Sequence, residues 1–171
     1  KYHKEKLLLK IQVKHPEFGK TVTETTFEQE IIEFEGELRK WTYYKIMGLE
    51  KDDRWFNIKF QNFIPRWEKE NKYEYNKERS FYDFLEFDQV KDLIISKKGK
   101  NYWELIFEEI FMQYEFHDIS NVEKALKNIY KKRNPKEHGS TEITSSFDFN
   151  PAKYKMAKRD LKIFKKIIET N

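Results

Sequence analysis

The chain has 171 residues, enough for one domain with its own core, and it holds no cysteine, which excludes disulfides and thiolate metal sites and is compatible with a cytoplasmic protein. Charged residues make up 37% and aromatics 17%, against 5 Gly and 4 Pro; few turn formers and many large side chains favour packed helices over a β-sandwich. The net charge of +4 is uneven, since residues 121–171 carry 13 Lys/Arg and 6 Asp/Glu (+7) while residues 1–120 carry 21 and 24 (−3).

A mean hydropathy of −0.95 is low, but the aromatics argue against wholesale disorder. No apolar run is long enough to cross a bilayer and no signal peptide is visible, so no membrane partner is expected. The first residue is Lys1 rather than Met, which suggests a domain cut from a longer protein.

Residues 1–25 read as an N-terminal extension. Leu7, Leu9, Ile11 and Val13 alternate as in a strand, and "TVTETT" is rich in β-branched residues, so a short β-hairpin is expected there, as the edge of a neighbouring domain. Residues 26–171 read as one helical domain. Phe27, Ile31, Phe34, Leu38 and Trp41 keep helical spacing, with Glu35 and Arg39 one turn apart on the same helix. Phe56, Phe60, Phe63 and Trp67 repeat that spacing, but Pro65 predicts a break near Ile64 and a new helix carrying Pro65 in its first turn.

Further on, Asp88 is the expected cap of "DQVKDLIIS" and Gly99 its stop. Asn101 and Glu104 are placed to cap a helix that turns Trp103, Phe107, Ile110 and Tyr114 inward. Ser120 and Glu123 read as a capping box for a helix burying Val122, Leu126 and Ile129. Asn150 and Pro151 open a last helix with Ala157, Leu161, Phe164 and Ile168 inward. The fold class is mainly α: a compact bundle of about five or six helices.

Chemistry concentrates in "KKRNPKEHGS", residues 131–140. One further turn along the stripe of Val122, Leu126 and Ile129 falls on Arg133. A guanidinium on that face must be paired internally, face a cleft or meet another chain. His138 diverges from Arg133 on an unbroken helix, but Pro135 biases Asn134 away from helical angles, and a break there would bring the two side chains to one site; the other reading is a helix C-terminus with basic residues near its carbonyls, followed by an exposed loop histidine. Arginine holds a phosphodiester and stabilises charge growing on it, and histidine moves a proton near neutral pH. RNA supplies its own nucleophile, the 2′-hydroxyl, so this chemistry needs no metal and no cofactor. Lys132, just before Arg133, and Lys136, between Arg133 and His138, are the expected further phosphate contacts, and Asn134 is placed to orient either partner.

Arg133-Asn134-Pro135-Lys136-Glu137-His138 resembles the R-N-x-x-x-H signature of the HEPN superfamily. "FEGELRKW", residues 34–41, resembles the F-E-x-x-L-R stretch on the first helix of the branch associated with Swt-type RNA endonucleases, and "FLEFDQVKDLI" with "NYWELIFEEIF" resembles that branch's intervening segment. The resemblance spans roughly residues 27–138 and is carried by a short motif in a matching helical setting. It implies a helical bundle and a metal-independent RNA endonuclease that leaves a 2′,3′-cyclic phosphate. It also implies a homodimer with both motifs at a shared cleft, in a defence or toxin-type system with a regulatory domain or antitoxin outside this chain. The alternative it carries is a catalytically inactive dimerisation or RNA-binding module. Pro135 departs from the usual pattern, and Ser140 stands where some members carry a modifiable Tyr.

Glu35 and Arg39 align with the family's first-helix pair as supporting residues. Their first reading is an intrahelical ion pair that braces the bundle, with a contribution of Arg39 to the cleft as the other. His117-Asp118 offers too few ligands for a metal and reads as an exposed helix end. The aromatics of "NYWELIF" and "FMQY" read as core rather than as an RNA-stacking platform.

Overall fold

The computed structural model describes residues 22–73, 79–96, 100–131 and 151–171. Its elements are α1 (Val22–Glu50), α2 (Arg54–Phe60), α3 (Ile64–Tyr73), a 3₁₀ turn (Phe81–Phe84), α4 (Phe87–Ile95), a π-helical turn (Trp103–Phe107) running into α5 (Glu108–Met112), α6 (Ile119–Tyr130) and α7 (Pro151–Thr170). Among the described residues there is no strand, and no helix is long and apolar enough to cross a membrane. The all-α bundle follows the helical periodicity. The hairpin expected over 1–25 falls mostly outside the described residues, but its final part is helical, because α1 already begins at Val22. A few tenths of a kcal/mol per β-branched residue is too weak a preference to stop a long helix from extending.

α1 is the spine. Phe27, Ile31, Phe34 and Leu38 are buried along one stripe, and Trp41 and Ile46 extend it. The helix stops where Lys51 takes a left-handed conformation (φ 70°) and its N–H bonds back to the Met47 carbonyl at 2.9 Å, a geometry that glycine usually supplies. α1 packs against α4 and α7, and α6 also packs against α4 and α7, so these four helices close a ring around the core.

Phe164 of α7 lies at its centre, fully buried, with ring centroids 4.9 Å from Phe116, 5.5 Å from Phe111 and 5.8 Å from Phe34. Burying one such side chain contributes about 1.5–3 kcal/mol, and tilted or edge-on ring pairs add about 0.5–1.5 kcal/mol. A second aromatic cluster lies under α2 and α3, where Trp67 stacks on Phe63 (5.7 Å) and on Phe84 (6.3 Å). Pro65 sits in the first turn of α3, as its spacing predicts, and Gln61–Phe63 forms the turn that precedes it.

Several local expectations shift by a residue or two. Asn101 does cap its helix, accepting from the Glu104 N–H at 3.3 Å. The π turn then widens the helix, so Phe111 rather than Ile110 follows Trp103 and Phe107 into the core, while Ile110 and Tyr114 are half-buried. α4 starts at Phe87, with the Glu86 N–H donating to Gln89 Oε1 (2.8 Å), so Asp88 lies inside the first turn instead of capping it. α4 ends at Ile95, and Gly99 lies outside the described residues. α6 is capped by Asp118, whose carboxylate accepts from the Asn121 N–H at 2.7 Å, and Ser120 is already helical. On α7 it is Ile167 that is fully buried and Ile168 that is half-buried.

Candidate functional site

α6 delivers the motif-bearing segment. Val122, Leu126 and Ile129 are fully buried, as the stripe predicts, and the Lys131 N–H closes the helix on the Lys127 carbonyl at 3.1 Å. On the outer side the Lys127 ammonium bonds to Glu123, which holds its pKa above the ordinary lysine value. Lys132, Arg133, Asn134, Lys136 and His138 lie outside the described residues, directly after this helix end.

The described structure gives the helix end a defined seat. Tyr130, the last residue of α6, stacks on Phe87 with ring centroids 4.9 Å apart and planes 8° from parallel. Phe87 opens α4, and two residues before it the Leu85 carbonyl accepts from Arg39 Nε at 2.6 Å. Arg39 Nη2 meets Glu35 Oε2 at 3.4 Å. A single short segment, Leu85–Phe87, therefore touches the α1 pair on one side and the exit of α6 on the other.

Glu35 and Arg39 are thus brought together, and both face inward: the Glu35 side chain is 2% exposed and that of Arg39 19%. A buried carboxylate with a guanidinium that also grips a backbone carbonyl is a brace between α1 and the start of α4. Two surface grooves, of about 450 and 940 Å³, are lined by other residues. The smaller lies between α1 and the end of α7 and includes Trp41, Tyr44 and Asn171; the larger runs along α7. Tyr102, Trp103, Phe107 and Phe111 are buried, so they belong to the core and not to a stacking platform. His117 is exposed beside the α6 cap.

One buried and one partly buried carboxylate escape a reading by apolar periodicity. Asp160, 3% exposed, sits on the inner face of α7 and accepts from Arg159 Nη2 at 3.0 Å. Its position between Phe164 and Ile167 on the helical wheel is the signal that marks it. Glu50, at the end of α1, accepts from the Tyr102 hydroxyl (2.8 Å) and pairs with Lys100 (2.9 Å). Those two donors, Lys100 first, hold the Glu50 carboxyl below its ordinary range against the opposing effect of burial. Burial, reinforced by the Glu50 charge, pushes the Tyr102 hydroxyl well above its ordinary value.

No protein family, no curated protein and no solved structure matches the chain.

Proposed function

We propose that the chain is a HEPN-type RNA endonuclease domain that cuts without a metal ion and leaves a 2′,3′-cyclic phosphate. The observation that carries the reading is the seat of α6. The helix that leads into Arg133-Asn134-Pro135-Lys136-Glu137-His138 ends in a ring stack on Phe87, and the same segment is held by the Glu35–Arg39 pair of the F-E-x-x-L-R stretch. The F-E-x-x-L-R stretch and the last residue of the helix that precedes the motif are thereby linked through the three residues Leu85–Phe87.

In this mechanism Arg133 binds the scissile phosphodiester and stabilises the negative charge that builds on its oxygens. His138 takes the proton of the 2′-hydroxyl as the 2′-oxygen attacks phosphorus. The bond from phosphorus to the 5′-oxygen breaks, and that oxygen receives the proton back from the His138 imidazolium and leaves as the 5′-hydroxyl of the downstream fragment. Asn134 orients the pair, and Lys132 and Lys136 hold neighbouring phosphates. An unpaired or looped strand is the substrate, because it lets the 2′-oxygen line up opposite the leaving oxygen. Two copies of the chain form the working unit, with a motif from each at one cleft, in a defence or toxin-type setting that keeps the activity in check.

The test is incubation of single-stranded RNA with chelator present, comparing wild type with Arg133→Ala and His138→Ala. Wild type cuts, and each substitution lowers the rate by about 100-fold or more. Equal cleavage by all three proteins removes the assignment, and cleavage that requires added Mg²⁺ points to a different mechanism.

A further inference from the structure

One cation on each of several helices has an acidic partner. Arg66 pairs with Glu70 on α3, Lys91 with Asp88 on α4 and Lys127 with Glu123 on α6, each one helical turn apart. On α7 the paired cation is Arg159, held by Asp160. Lys155, Lys158, Lys162 and Lys165 follow one another at three- and four-residue steps along its outer side, with Lys166 beside the last, and the first carboxylate on that side is Glu169. Lys155, Lys158, Lys162 and Lys166 are exposed and Lys165 is half-exposed. No ion pair holds any of the five among the described residues.

The opposite side of α7 is committed to the core through Ala157, Leu161, Phe164 and Ile167. A basic helix that binds a lipid surface needs a free apolar face to insert, and this one has none to give. What remains on its outer side is charge, with Lys158 Nζ also lying over the rings of Phe27 (5.7 Å) and Tyr154 (5.8 Å). From Lys155 to Lys166 the row spans about 16 Å at the rise of an α-helix, room for several consecutive phosphates of a strand. Four of the five lysines line the 940 Å³ groove beside α7. Glu30, Glu115 and Glu169 stand in that lining too, and Arg159 is already engaged by Asp160. The positive charge is therefore a row along the helix and not a diffuse surface excess.

We propose that the outer face of α7 is a track for the phosphodiester backbone of single-stranded RNA. This assignment rests on the nuclease reading above and adds to it the surface that holds the strand outside the cleavage motif. Binding along the track is electrostatic and independent of sequence, since lysine ammonium groups read charge and not base edges.

The probe is a single-stranded 2′-O-methyl RNA of about 12 nucleotides, which binds but lacks the nucleophile for self-cleavage. Its affinity for the full chain is measured by fluorescence anisotropy between about 50 and 200 mM salt. Lys158→Gln/Lys162→Gln/Lys165→Gln is compared with wild type and with Lys40→Gln/Lys59→Gln/Lys69→Gln, which removes the same charge from exposed lysines elsewhere. Each phosphate left without its lysine takes about 0.7 from the slope of log K against log salt, so the α7 variant flattens the slope by about 2 while the control keeps the wild-type slope. An unchanged slope in the α7 variant, or equal flattening in both variants, overturns the proposal. So does α7-dependent binding of phosphatidylserine vesicles with no binding of the RNA. Cleavage is scored separately. A flattened slope with no cutting by wild type upholds the track and removes the nuclease, whereas cutting with an unchanged slope does the reverse.

Discussion

Replacing Arg39 by methionine removes a guanidinium and leaves an unbranched stem in its place. Two interactions go with the charge. The bond from Nε to the Leu85 carbonyl, 2.6 Å long, is of the charge-assisted kind that contributes about 1.5–3 kcal/mol. The ion pair at 3.4 Å is lost as well, while the Glu35 side chain stays 2% exposed. Breaking a buried pair from one side costs about 3–5 kcal/mol. The two losses overlap and do not add. Because 19% of the Arg39 side chain reaches solvent, the expected loss lies at the lower end, about 3 kcal/mol. In a chain of this size that lowers Tm by about 6–12 °C. Urea unfolding followed by tryptophan fluorescence reads it directly. Glu35→Gln, which keeps the shape, costs about 1–2 kcal/mol, and the double variant is more stable than the sum of the singles predicts by about 1 kcal/mol. A loss under about 1 kcal/mol for Arg39→Met refutes the bracing role. If RNA cleavage then falls while stability holds, Arg39 belongs to the cleft.

Two further outcomes follow from the same geometry. Phe87→Ala empties a buried ring site and ends the stack on Tyr130, at a cost of about 3–5 kcal/mol in urea unfolding, whereas Phe87→Leu keeps most of the volume and costs about 1 kcal/mol. Glu50 sets a pH dependence. Its folded-state pKa lies below its unfolded value of about 4.3, so its contribution is present above that value and is lost as pH falls through the lowered folded pKa. Urea midpoints of wild type therefore fall more steeply than those of Glu50→Gln below about pH 5, and parallel curves for the two proteins dismiss the Lys100–Glu50–Tyr102 cluster as a source of acid sensitivity.

The long stripes were legible because burial and helical period are the same fact seen twice. Phe27 to Trp41, Val122 to Ile129 and Ala157 to Phe164 all point inward as their spacing requires. The starts of α4 and α6 were less legible. Each has several capping residues within a short stretch, and packing of Phe87 and Val122 decides which one stands at the end. Trp103 and Phe107 point inward as their spacing requires, but Phe111 in place of Ile110 needed a π turn that apolar spacing does not encode. Of the candidate site, Glu35 and Arg39 were found as an i, i+4 pair, and α6 was found as the approach to Arg133. The Leu85 carbonyl on Arg39 was not, since a backbone atom 46 positions away leaves no mark in a local pattern.

By itself the sequence determines that this chain is helical, where its apolar faces run, and that the basic excess gathers toward its C-terminal third. Those properties come from local period and composition. Only the tertiary structure decides that α1, α4, α6 and α7 close one ring, that a buried carboxylate on α1 shares a guanidinium with the start of α4, and that the row from Lys155 to Lys166 on α7 is left on the outer side of the bundle. Those are relations between segments far apart in the chain. They exist only once burial of the shared aromatic core has set which face of each helix remains free.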